Sequence, residues 1–153
     1  MNRRLYFDID GTLLMEEKGI PKPHLADGAF EYAVRSAGFE EIVCVGNFVA
    51  ALHAVNEVEP EHDGIGAIFA LCGSTFTDEA WFRSACTLVK NPMDRAREID
   101  LDANWWYVDD LAEYYLWKAG REDVFKANLN GRIMVPEPAG DGADIVGWLQ
   151  SLR

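Results

Sequence analysis

Leu5-Tyr6-Phe7-Asp8-Ile9-Asp10-Gly11-Thr12-Leu13-Leu14 carries two carboxylates out of an apolar run and into a glycine turn. Leu5, Tyr6 and Phe7 are large, consecutive and apolar, which suits a strand buried in a parallel sheet, and Gly11 supplies a tight turn immediately after it. Alternation along the strand predicts that Asp8 and Asp10 lie on one side. Two acids held together repel and raise each other's pKa unless a cation sits between them, so the arrangement asks for a metal. Magnesium fits the request, being a hard ion that takes oxygen ligands and usually keeps waters and a substrate phosphate in its shell.

Outward from this stretch the chain alternates strand and helix signals. A linker with Pro21 and Pro23 leads to a helix carrying Leu25, Ala29, Ala33 and Ala37 on one face and closed by Gly38. Ile42 to Val45 reads as the second strand. Phe48, Ala51, Leu52 and Val55 then recur at helical spacing before the charged loop around Pro60. The apolar run Ala67 to Cys72 reads as a third strand, and Thr77 or Asp78 caps a helix through Trp81, Ala85, Leu88 and Val89 that leads to Lys90. Pro92 opens a helix through Met93, Ala96 and Ile99. Trp105 to Val108 is a further strand, followed by a helix over Leu111–Gly120 with Gly120 as its C-terminal cap. Arg132 to Val135 predicts a late strand, and Ile145, Val146, Leu149 and Leu152 a final helix. These elements predict an α/β fold, a doubly wound parallel sheet with helices on both faces, in a single domain over residues 1–153. Ligands in such sheets bind at the C-terminal strand ends, where Asp8 and Asp10 fall.

The stretch Asp8-Ile9-Asp10-Gly11-Thr12 resembles the first motif of the haloacid dehalogenase-like (HAD) phosphohydrolases, an apolar strand followed by Asp-x-Asp-Gly-Thr. Trp105-Trp106-Tyr107-Val108-Asp109-Asp110 resembles one variant of that family's final acidic motif. By itself Asp109-Asp110 also reads as a helix N-cap with a dipole-complementing acid. Lys90-Asn91-Pro92 matches the family's lysine ahead of a proline-started helix, although a lone lysine is usually a solvated surface charge. The resemblance implies that Asp8 is the nucleophile and Asp10 the general acid and base, and that Lys90 neutralises phosphate charge. It also implies a magnesium site formed with Asp8, Asp10, Asp109 and Asp110, and phosphate contacts from Gly11, Thr12, Gly46 and Asn47. Chemistry supports the first two roles independently. A carboxylate nucleophile splits hydrolysis into formation and breakdown of an aspartyl-phosphate, and a second carboxylate can protonate the leaving alcohol and later activate water.

Two positions depart from the family's pattern. Gly46 stands where the family has Ser or Thr, which removes a phosphate-binding hydroxyl; Ser74 or Thr75 would supply one only in a different strand register. Losing one transition-state donor costs on the order of 10²–10³ in rate in other enzymes. Val108 replaces a glycine, and Glu113 is the nearest candidate for a third acid. The rival expectation is therefore a weak or inactive relative that works as a binding or scaffold module. Between the motifs there is no room for a large cap domain, since Leu13 to Glu41 spans 29 residues and holds a short flap and one helix. The resemblance then implies an open site, suited to a large phosphorylated substrate, or one closed by a neighbouring subunit.

Composition sets outer bounds. At 153 residues and 49% hydrophobic, with five Trp, the chain can bury a sizeable core. Lys plus Arg number 14 against 26 acids, a net charge of −12 that repels nucleic-acid backbones and anionic membranes. No basic, apolar leader and no membrane-length apolar stretch is read, which makes a cytoplasmic location the default expectation. Cys44, Cys72 and Cys86 lack metal spacing and read as reduced core thiols.

Overall fold

The computed structural model of the chain describes residues 2–138 and 140–153. Five strands form one parallel sheet: β1 (Arg3–Phe7), β4 (Phe39–Cys44), β5 (Cys86–Leu88), β6 (Asn104–Val108) and β7 (Ile133–Met134), in the order β5-β4-β1-β6-β7. Between them run α1 (Ala29–Ser36), α2 (Phe48–Val58), α3 (Gly64–Cys72), α4 (Glu79–Ala85), α5 (Ala112–Lys118) and α6 (Glu122–Asn128), with α7 (Ala143–Gln150) after β7. This is an α/β sheet flanked by helices, consistent with a Rossmann-like fold.

β1 is central because its last three residues are fully buried and apolar, and only a strand covered on all sides can use such a run. Phe7 packs its ring 6.3 Å from Phe30 of α1 and 6.0 Å from Phe76, and Phe76 lies 4.6 Å from Phe82 of α4. Each fully buried phenylalanine of this cluster contributes roughly 1.5–3 kcal/mol. The register matters most for function. Phe7 pairs with Cys44 on one side and with Val108 on the other, so β1, β4 and β6 end at one level and deliver Asp8, Gly46-Asn47 and Asp109-Asp110 to a common edge.

Several expectations need correction. Ala67–Cys72 is not a strand but the second half of α3, whose N-cap Asp63 accepts a hydrogen bond from Gly66 N–H at 2.9 Å. Continuous apolar runs do not separate buried strand from buried helix, and burial of Ile68 and Cys72, four apart, follows the helical period. The third strand is instead Cys86–Leu88, inside the segment expected to continue the helix; α4 stops at Ala85, and Val89 N–H bonds the Cys44 carbonyl beside it. The proline linker is a hairpin, β2 (Leu14–Glu17) with β3 (Ile20–Pro23), turned by Lys18 and Gly19, both at positive φ. Pro92–Glu98 is a 3₁₀ segment broken at Asp94, not an α-helix through Ile99. The late strand shrinks to Ile133–Met134, and α6 was not expected.

The three cysteines are buried free thiols, and burial pushes Cys72 and Cys86 up to about 12, which leaves them inert. Among the described residues no helix is long and apolar enough to cross a membrane.

Candidate active site

At the common strand edge, one carboxylate oxygen from each of Asp8, Asp109 and Asp110 lies within 4.8 Å of the others. Asp8 is carried directly off β1, with its N–H bonded to the Val108 carbonyl at 3.0 Å, and Asp109 directly off β6. Asp8 is 4% exposed and Asp109 is fully buried, so charge here must be balanced locally.

Arg95 supplies that balance. Its Nη1 donates to Asp8 Oδ1 and to Asp109 Oδ2, both at 2.9 Å, while Nη2 donates to Asn47 Oδ1 and Nε to the Pro92 carbonyl. Its guanidinium stacks 3.9 Å over the Tyr115 ring, and the side chain is almost wholly inaccessible. The break at Asp94 in the 3₁₀ segment accompanies this inward turn. Asp109 accepts from three protein donors: besides Arg95, Tyr107 O–H at 2.6 Å and Leu111 N–H at 2.9 Å. Burial and the Asp109 charge hold the Tyr107 phenol well above its ordinary range, so it stays a donor.

Thr12 ties the first turn to the last motif. Its hydroxyl donates to Asp8 Oδ2 at 3.3 Å and accepts Asp110 N–H at 3.1 Å. Gly11, at φ +80, lies under the Asp110 carboxylate, and a Cβ there would come within 2.3 Å of Asp110 Oδ2. Gly11→Ala should therefore cost about 1–2 kcal/mol of backbone strain and displace Asp110 as well. The expected outcome is a lower melting temperature together with loss of any stabilisation by added divalent cation; retention of that stabilisation would free Asp110 from the role argued below.

Burial, then the neighbouring Asp109 charge, raise the Asp8 pKa well above the ordinary aspartate range even against Arg95, and burial raises Asp110 too. Asp110 Oδ1 is buried and has no hydrogen-bond partner among the described residues. The three acids and Arg95 sum to a formal charge of −2 when the acids are ionised, an all-oxygen donor set with one orphaned oxygen. That set fits one hard divalent cation. Asp109 already accepts from Arg95, Tyr107 and Leu111, so Asp110 and Asp8 have more free lone pairs to offer such an ion.

Two sequence candidates lie elsewhere. Asp10 is exposed and outside the three-acid cluster, because the strand ends at Phe7 and the Ile9 carbonyl accepts N–H bonds from Thr12, Leu13 and Leu14. That tight turn cancels the alternation expected to pair Asp10 with Asp8. Lys90 is exposed and lines a separate groove with Arg4, Glu41 and Glu98; the cation against Asp8 is Arg95. Gly46 packs closely, since a Cβ added there would lie 3.3 Å from Asp8 Oδ1, and the side-chain oxygen of exposed Asn47 serves as an acceptor for Arg95. Thr75 is buried in the 3₁₀ turn after α3, and Ser74 sits beside it. Arg95 was missed in the sequence because it stands in the charged run Asp94-Arg95-Ala96-Arg97-Glu98, although buried Ala96 and Ile99 mark an inward face there.

Comparison of the chain with protein-family models, with curated proteins and with solved structures finds no match.

Proposed function

We propose that the chain is a magnesium-dependent phosphomonoester hydrolase of the HAD type, acting through an aspartyl-phosphate on Asp8. The observation that carries the reading is the convergence of Asp8, Asp109 and Asp110 around buried Arg95 at the ends of the central parallel strands. Asp8 and Asp110 would hold magnesium, which when bound would offset the charge of the acids and of the substrate phosphoryl group.

The chain's own groups do the rest. Asp8 attacks phosphorus with one oxygen, the P–O bond to the alcohol breaks, and water later cleaves the acyl phosphate to release inorganic phosphate and regenerate the carboxylate. Arg95, fixed by Asp109, Asn47 and Tyr115, holds the attacking carboxylate in place and lowers the cost of its ionised form. Asp109 acts through Arg95 and is a positioning residue. Asp10 is the proposed acid and base: it is two residues from the nucleophile and open to solvent, where an alcohol would leave and water would enter.

A second reading has one observation behind it. Gly46 brings no hydroxyl to the phosphate position, which favours slow turnover or a protein that binds phosphate esters without cleaving them. Hydrolysis of an aryl phosphate with magnesium, and then with EDTA, separates the two. Magnesium-dependent turnover that falls in Asp10→Asn is expected for the hydrolase. No turnover, alongside a magnesium-specific rise in melting temperature, would select the binding module.

A further inference from the structure

A cleft of about 380 Å³ opens beside the acid cluster, lined by Asp110, Leu111, Glu113, Tyr114, Trp117 and Glu122. Asp110 belongs to both, so the cleft adjoins the acid cluster. Three of the lining residues are large apolar groups left in the open: Trp117 is 61% exposed, Leu111 51% and Tyr114 49%. Single exposed apolar residues are ordinary, but three on one short segment facing one cleft form a surface that a ligand would cover. Trp117 and Tyr114 lie 6.2 Å apart at 36°, and Tyr114 packs edge-on against Tyr115, the ring beneath Arg95. The platform is thus anchored to the site itself.

The charged side chains that line it, Asp110, Glu113 and Glu122, are all acidic. Glu113 makes no ion pair among the described residues, while Glu122 has an exposed one with Lys126, and no basic side chain lines the cleft. Aromatic faces beside carboxylates recognise organic cations, through the ring quadrupole and Coulomb attraction together. An anionic or purely apolar leaving group would meet repulsion or waste the acids. Resting on the hydrolase reading, we propose that the substrate is a small phosphate monoester whose alcohol carries an ammonium group, seated on Trp117 and Tyr114 with Glu113 and Glu122 around it.

The test compares kcat/KM for choline phosphate with that for 3,3-dimethylbutyl phosphate, which has the same shape without the charge. Choline alone is also titrated against the protein while the Trp117 indole N–H resonance is followed by NMR, assigned with Trp117→Phe. We expect a preference of about tenfold or more for the charged ester, reduced several-fold in Trp117→Ala and in Glu113→Gln, and a saturable shift of the Trp117 resonance that 3,3-dimethylbutanol does not give. Equal kcat/KM for the two esters, or a preference untouched by both substitutions, would overturn the proposal and leave the hydrolase standing. If neither ester is cleaved while an aryl phosphate is, the substrate proposal is overturned and the hydrolase stands. If the aryl phosphate is not cleaved either, the hydrolase reading fails on its own, and the choline titration still decides: a saturable shift at Trp117 supports the cation site, and its absence overturns it.

Discussion

Arg95→Met should lower the melting temperature of the cation-free protein by roughly 6–20 °C. Removing one partner from a buried ion network costs about 3–5 kcal/mol, because the remaining charges stay buried without compensation, and each kcal/mol shifts a chain of this size by roughly 2–4 °C. Here Asp8 and Asp109 would lose their shared donor and Asn47 its partner in one step. The loss should shrink as pH falls through the raised pKa of Asp8, where that carboxyl takes up its proton and no longer needs the guanidinium. Arg95→Lys should fall between, since an ammonium keeps the charge but cannot span Asp8, Asp109 and Asn47 from one planar group. Thermal melts in EDTA across pH check this. A variant that melts within two or three degrees of the parent, by the same conversion, would mean that Arg95 does not balance the acids.

Asp8→Asn should do the opposite to stability and far more to activity. Without its carboxylate there is no acceptor for the phosphoryl group, and loss of a nucleophile costs on the order of 10⁴ or more in rate. The folded protein raises the Asp8 pKa above its unfolded value of about 3.9, so the native state binds the proton more tightly. The stability this contributes is complete below that unfolded value and is lost as pH rises through the folded one. The cation-free parent should thus lose stability from about pH 4 upward, and Asp8→Asn should lack the Asp8 share of that loss while keeping the share due to Asp110. At neutral pH the variant is expected to be at least as stable as the parent and catalytically silent. Measurable turnover in Asp8→Asn, beyond a mock purification, would remove Asp8 from the nucleophile's role.

The sequence made the acids legible because their neighbours are extreme. Leu5-Tyr6-Phe7 and Trp105-Trp106-Tyr107-Val108 are short, aromatic-rich apolar runs each closed by acids, a pattern that suits a buried strand and places the residues after it at a sheet edge. The geometry beyond the strand ends was not legible. Asp10 follows a turn closed on the Ile9 carbonyl, and period-two reasoning stops where the strand does. Arg95 looks solvated in sequence because its partners are 87 and 14 residues away, and only the parallel register of β1 and β6 brings them together. Lys90, two residues before a proline and directly after an apolar stretch, had the better local pattern and lies on the outside. The same limit explains α3: a run of apolar residues states burial, and the choice between helix and strand came from the Asp63 cap and from packing against α2 and α4.

The central claim is that Asp8 takes a phosphoryl group. The protein would be mixed with magnesium and an aryl phosphate, quenched in acid within a few turnovers, digested, and the peptides mapped by mass spectrometry. Phosphate on the peptide containing Asp8, dependent on magnesium and absent from Asp8→Asn, is the predicted result. Hydrolysis of the ester with no phosphopeptide, or with label on any other residue, would contradict it.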